Sequence, residues 1–214
     1  MYLAFDTATD VPSLAVGSPD APGDDVRLAS RRDLSRDIEH ATAALLARRG
    51  VGLADLAGVV VADGPGSFTG LRIGIAFAKG VCRARGLPLL AAPSMLGAAF
   101  AVAGGAGAVL VEYDALRGDV YRAVYRFASA VSGVGPGVAS AVAVLEAPAL
   151  VPRDAPPPAH ARLIRAGAAH ASAGALIGLH GLAGALATIE SPDRWEPSYG
   201  RLAEAEVRRR AAER

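Results

Sequence analysis

The sequence predicts an α/β fold in which three antiparallel strands precede parallel strands joined through helices. Three observations carry this. The first hundred residues fall into a β-β-β-α-β-α-β order by their hydrophobic period. Ala57–Ala62 is short and wholly apolar, as expected of a strand covered on both faces. Gly50 and Gly86 each close an amphipathic run, where a glycine ends a helix.

The elements follow in order. Tyr2–Asp6 reads as a strand, Thr7–Pro12 as a turn, Ser13–Gly17 as a second strand and Val26–Arg32 as a third. Asp37–Arg49 reads as a helix, because Ile38, Ala41, Thr42, Leu45 and Leu46 share one stripe. After the apolar strand, Thr69–Arg85 forms a second helix and Leu87–Ala91 another strand. This order matches the ribonuclease H-like fold, which also forms each half of the actin, Hsp70 and sugar-kinase ATPases.

A glycine-alanine stretch, Ala103–Ala108, marks a domain boundary. A hairpin follows, from Ala108–Tyr113 to Val120–Phe127 through Asp114–Asp119. Its second strand alternates: Tyr121, Ala123, Tyr125 and Phe127 point one way, Val120, Arg122, Val124 and Arg126 the other. Val142–Glu146 reads as a third strand, Pro148–Pro158 as loop or extended linker, Leu163–Arg165 as a strand and Ala173–Ala187 as a helix. Arg201–Glu213 reads as a polar C-terminal helix. Both halves open with a strand ending in aspartate, Asp6 and Asp114, a weak echo of duplication.

The 214 residues suffice for one large or two small domains. No apolar run reaches the ~20 residues of a membrane span, and no basic leader precedes the first strand. One cysteine, Cys82, excludes an internal disulfide framework and reads as a core side chain. These features together indicate a cytoplasmic protein. A net charge of +1 argues against a broad nucleic-acid surface, and Arg208–Arg210 reads as a solvated helix face.

Val59–Gly74, VVVADGPGSFTGLRIG, is the most informative stretch. Gly64-Pro65-Gly66 fits a type II turn with positive φ at Gly66, and Ser67 or Thr69 can cap the helix that follows. A glycine turn feeding a helix could cradle phosphate. No Gly-Lys-Ser/Thr closes it, however, and the only lysine, Lys79, lies deep in the helix. The alternative is a sharp turn with close packing. Gly70, Gly74 and Ala78 recur on one helix face beside the adjoining apolar face of Ile73, Phe77, Gly80 and Val81. Glycine inside a helix costs ~1 kcal/mol relative to alanine, so close backbone approach is expected, either within the chain or to a partner.

Asp6 and Asp63, at strand ends, and Glu39, on the first helix, could together hold two Mg²⁺ for phosphodiester cleavage. Against this, Asp6 and Thr7 can simply cap a turn. His40, His160, His170 and His180 show no metal spacing, so no metal site is expected. No GxSxG elbow surrounds Ser67.

At these residues the chain resembles a known family. DGPGSFTGLRIGIAFAKGVCRARGLPL is similar to the signature GPGSFTGLRIG…AKGLA…GIPL of the bacterial TsaB (YeaZ) proteins. YLAFDTATDVPSLAV resembles the family's opening strand pair. YDALRGDVYRAVY resembles its second-domain hairpin, with Asp114, Arg117, Gly118 and Tyr121 in place. WEPSYGRLAEAEV resembles its P-x-Y-x-R-x-x-x-A element through Pro197, Tyr199, Arg201 and Ala205. The chain departs at Asp63, where the family usually has RGPG, and at Leu34–Asp37, where it often has His-Ser-Glu.

The resemblance implies two tandem ribonuclease H-like (actin/Hsp70-type) domains, mixed sheets flanked by helices, the second reduced. The expected domains are 1–104 and 105–195, with a helix over 200–214 packing back on the first. It implies a noncatalytic subunit that needs no cofactor of its own, Asp6 and Thr7 being vestiges of a nucleotide site. Its implied partners are a TsaD-like catalytic subunit and a TsaE-like ATPase, which use ATP and Mg. Together these transfer a threonylcarbamoyl group to the tRNA adenosine beside the anticodon. Alone, such a chain is expected to homodimerise through the same N-terminal-domain helices, with Gly70, Ile73, Gly74, Phe77, Ala78 and Val81 as the contact. It would meet tRNA through the complex and have no membrane role. The other classes consistent with the residues are an actin-like ATP-using enzyme and the metal-dependent nuclease.

Overall fold

A computed structural model describes residues 1–23, 25–103, 107–115, 117–129, 139–159 and 163–200. Along the first half run β1 (Tyr2–Asp6), β2 (Ser13–Gly17), β3 (Val26–Arg27), α1 (Leu34–Arg49), β4 (Gly58–Ala62), α2 (Phe68–Arg85), β5 (Leu89–Ala92) and α3 (Ser94–Ala103). The second half adds β6 (Gly107–Asp114), β7 (Asp119–Ser129), β8 (Ala139–Pro152), β9 (Leu163–Gly167), α4 (Ala173–Gly178) and β10 (Ala187–Thr188).

Two mixed sheets result. The first has the order β10-β5-β4-β1-β2-β3, the second β8-β7-β6-β9. In the first, β1 pairs antiparallel with β2 and parallel with β4, and β4 pairs parallel with β5. In the second, β6 pairs antiparallel with β7, β7 antiparallel with β8, and β6 parallel with β9. The second sheet thus repeats the strand order and directions of β3-β2-β1-β4. The echo between Asp6 and Asp114 is therefore a repeated strand topology, and among the described residues no helix lies between β6 and β9.

β2 and β4 are buried at every position, as apolar strands with cover on both faces must be. α2 packs on β1, β4 and β5 and lies beside α1, while α4 packs on β1, β2 and β4. α3 joins the two halves, touching α4 and the strands β6, β7 and β9. One apolar core therefore runs through both sheets, from Phe5 and Leu71 through Met95 to Tyr125 and Phe127. The alternation of β7 holds: Tyr121, Ala123, Tyr125 and Phe127 face this core, and Val124 joins Ala108 and Leu110 on the other side.

Several boundaries differ from the sequence expectation. β3 stops at Arg27, because Ser30 accepts from the Arg32 N–H at 3.0 Å and starts a 3-10 turn over Arg31–Asp33. That turn leads into α1 at Leu34. Pro148 lies inside β8, which runs on to Pro152. An edge strand tolerates the missing donor, and the ladder shifts register there, between Arg122 and Val124. The helix expected over Ala173–Ala187 ends at Gly178. The chain then turns and returns to the first sheet, pairing Ala187 with Ala91. Residues 173–188 therefore pack with the first sheet, and the second sheet spans 107–167. The expected helix over 200–214 lies outside the described residues, apart from Gly200.

Candidate functional site

The end of β1 is closed by side chains. Asp6 and Thr7 are each 1% exposed. One Asp6 carboxylate oxygen accepts from the Ala8 N–H at 3.1 Å, the other from the Ser94 hydroxyl at 2.7 Å. Ser94 Oγ is in turn 3.1 Å from the Tyr113 hydroxyl. The chain Asp6–Ser94–Tyr113 thus links β1, the start of α3 and β6, across the junction of the two sheets. Burial pushes the Asp6 carboxyl up to about 6, although the Ser94 and Ala8 hydrogen bonds work against it. Burial likewise raises the Tyr113 phenol well above its ordinary value, with the nearby Asp6 charge adding to the effect. Asp63, one residue past β4, is pushed up to about 6 by burial. The Tyr125 hydroxyl is buried and has no hydrogen-bond partner among the described residues.

The glycine turn after Asp63 differs from the type II turn expected. Gly64 carries the positive φ, +112°, and the Gly64–Pro65 peptide is cis. Gly66 is needed for space instead, since a Cβ there would fall on the Ala8 carbonyl. The Ser67 N–H donates to the same carbonyl at 2.7 Å. Ser67 is the helix cap, its hydroxyl accepting from the Gly70 N–H at 3.1 Å. Thr69 lies exposed in the first turn.

Of the expected contact residues, the structure separates two groups. Gly70, Gly74 and Ala78 are buried on the chain's own core. A Cβ on Gly70 would meet the Thr7 carbonyl, and one on Gly74 the Thr7 side chain. The close approach that the glycines permit is therefore internal, between α2 and the end of β1, and these three residues are not open to a partner. Ile73, Phe77 and Val81 are half-buried against the same core. The spacing of small residues could not distinguish these cases, because it reads alike for an internal and an external neighbour.

At about 100° per residue the outward half of α2 divides into two flanks. Phe68, Lys79, Arg72 and Arg83 fall within about 60° of arc. Ala76, Gly80, Ile73 and Phe77 occupy the next 100° or so. Ala76 and Gly80 are exposed, and a Cβ on Gly80 would meet nothing within 4 Å. On the neighbouring α1, Glu39, His40, Ala43, Ala44 and Ala47 are exposed, and so is Arg36. This small-residue edge is the open part of the helix pair.

The other flank carries a strap. Arg83 lies 3.8 Å from Asp193, and the Lys79 ammonium donates to the Trp195 carbonyl at 2.8 Å. The Phe68 and Tyr199 rings are 4.6 Å apart. The segment from Asp193 to Tyr199 therefore runs along α2 from its C-terminal to its N-terminal end. At that end the Ser198 carbonyl sits against Gly64, Gly200 sits against Pro65 and Tyr121, and the Tyr121 hydroxyl donates to the Tyr199 carbonyl at 3.3 Å.

The three carboxylates of the nuclease reading do not come together: Asp6 is sealed while Glu39 faces outward on α1. Among the described residues no three of His, Cys, Asp or Glu gather as a metal site. His170 Nδ1 accepts from the Gly167 N–H, and the His180 ring packs on Tyr2 at 4.0 Å. His160 lies outside the described residues. Ser94 and Tyr113 escaped the sequence reading, because their contact with Asp6 spans 88 and more residues and leaves no local signal.

Residues 27–176 match the family model described as TsaD: tRNA N6-adenosine threonylcarbamoyltransferase. The chain is 34% identical over 126 residues to the tRNA threonylcarbamoyladenosine biosynthesis protein TsaB of Escherichia coli (strain K12), covering 58% of this chain and 54% of that one. It thus spans about half the length of that relative. It is 38% identical over 160 residues to an uncharacterized protein of Mycobacterium tuberculosis, covering 72% of each. Two solved structures share the fold. One is an uncharacterized protein with similarity to peptidase YEAZ from Pseudomonas aeruginosa, with TM-score 0.74 and 22% identity over 94% of this chain and 99% of the other. The second is YeaZ from Pseudomonas aeruginosa, with TM-score 0.67 and 24% identity over 84% and 90%. Among the described residues no helix is long and apolar enough to cross a membrane.

Proposed function

This chain belongs to the TsaB (YeaZ) family, and from that premise we propose that it is a noncatalytic subunit of the tRNA threonylcarbamoyladenosine machinery. In this reading it docks a TsaD-like catalytic subunit through α1 and the open edge of α2. The observation that carries the proposal is the division of labour around α2. Its inner face fills the place beside Asp6 and Thr7, and its strap covers one flank. The edge of Ala76, Gly80, Ile73 and Phe77 is left for a second protein.

The sealed strand end supports a supporting rather than a chemical role. A phosphate or metal at β1 would have to displace the Ser94 hydroxyl and the Ala8 N–H from Asp6. It would also meet the Tyr113 side chain behind them. ATP and Mg then belong to the TsaD-like and TsaE-like partners, and tRNA is met through the assembly in the cytoplasm. The same helix edge serves a homodimer when the chain is alone.

Gly80→Arg tests the reading. Gly80 is exposed with free space around it, and arginine is the better helix former by roughly 1 kcal/mol. The variant should fold at least as well as the parent and lose both self-association and capture of a TsaD-like subunit. A folded Gly80→Arg protein that still binds the subunit with parental affinity would overturn the proposed edge.

A further inference from the structure

Phe68 is the one exposed aromatic among the described large hydrophobic residues, at 42%. A lone exposed apolar side chain is ordinary. This one is held in place. The Arg72 guanidinium sits 5.2 Å from its ring centroid, and the Tyr199 ring lies 4.6 Å away, tilted by 45°. Tyr199 is itself fixed at both ends. Its carbonyl accepts from the Tyr121 hydroxyl at 3.3 Å, and its own hydroxyl donates to Glu196 at 3.2 Å. The chain thus brings together residues more than 130 positions apart to build a half-exposed Phe–Tyr–Arg corner at the start of α2.

The corner borders the open edge. Phe68 and Arg72 stand two turns and one turn before Ala76, along the same helix. Protein interfaces concentrate their binding energy in aromatic and arginine side chains of this kind, particularly those that lose little freedom on docking. The charge pattern states what the partner must offer. α2 carries Arg72, Lys79, Arg83 and Arg85 and no acidic residue. Of these, Lys79 and Arg83 already face the strap at Trp195 and Asp193. Arg72 instead lies over the Phe68 ring.

We propose that Phe68 and Arg72, buttressed by Tyr199, form the anchor of the docking surface, which inserts into an apolar pocket rimmed by a carboxylate on the TsaD-like subunit. This rests on the proposed function, since it extends the same edge around the N-terminal end of α2. On docking, the Phe68 ring is desolvated and Arg72 exchanges water for a charge-assisted hydrogen bond. The strap then acts as part of the interface, because it holds Tyr199 against the anchor.

The test is the affinity of the full chain for a purified TsaD-like subunit, by calorimetry, with Phe68→Ala, Arg72→Ala and Gly80→Arg compared with the parent. Circular dichroism melting first establishes that each variant folds. The anchor predicts that Phe68→Ala weakens binding by about 30-fold or more, as removal of a hot spot does. Arg72→Ala should weaken it less and flatten its salt dependence. If Gly80→Arg abolishes binding while Phe68→Ala binds like the parent, the anchor is wrong and the edge stands. If Phe68→Ala impairs self-association alone, the corner serves a second copy of this chain and the assignment to the TsaD-like subunit is overturned. If the parent itself does not bind, both readings fall.

Discussion

Replacing Asp6 by asparagine should raise stability relative to the parent as pH rises from 4 to 8. The folded-state carboxyl titrates near 6, against a reference value of 3.8, and burial is the largest cause. A carboxyl whose value is raised on folding favours the folded state while protonated. Its contribution is complete below about pH 3.8 and disappears as pH rises through about 6. One unit is worth ~1.4 kcal/mol, so the full swing is ~3 kcal/mol, of which about 2.5 kcal/mol falls between pH 4 and pH 8. Asparagine is neutral throughout and keeps an oxygen for the Ala8 N–H. The stability difference between Asp6→Asn and the parent should therefore shift in favour of the variant by about 2.5 kcal/mol from pH 4 to pH 8. For a chain of this length that corresponds to roughly 5–10 °C in Tm. Urea denaturation of both proteins at the two pH values measures it. Asp63, also raised to about 6, is common to both and cancels in the difference. A difference that does not change with pH would show that Asp6 is not buried as an ionisable group, and the sealed strand end would fall with it.

Two further outcomes follow from the same packing. Ser67→Ala removes the hydroxyl that accepts from Gly70, and it should lower stability by about 1 kcal/mol in a urea melt at pH 7. Gly74→Val places its side chain on Thr7 and should cost on the order of 1–3 kcal/mol or prevent folding. Loss of partner binding with unchanged stability would instead put Gly74 at an interface.

Much of the first sheet is legible because its signals are local. Gly50 and Gly86 adopt left-handed caps, both with φ 64°, where the sequence ends its helices. Ser67 caps where the residue order places a cap. The turn before it is harder. Gly64-Pro65-Gly66 allows positive φ at either glycine; Gly64 adopts it, while the missing Cβ of Gly66 leaves room for the Ala8 carbonyl. In α2 the glycines face Thr7, while Ile73 and Phe77 are half-buried beside the exposed Ala76 and Gly80. The deciding neighbour comes from more than sixty residues away, and no spacing within α2 reveals it. The return of 187–188 to the first sheet, the Asp6–Ser94–Tyr113 chain and the strap along α2 are likewise products of tertiary packing. Sequence period carries no information about such contacts.

Amide hydrogen exchange on the full chain, alone and with a TsaD-like subunit, tests the central claim most directly. The account predicts added protection across α1 and the Phe68–Arg85 helix, with β8 and β9 unchanged. Protection confined to the second sheet, or around Asp6 and Ser94 in the presence of ATP, would contradict it.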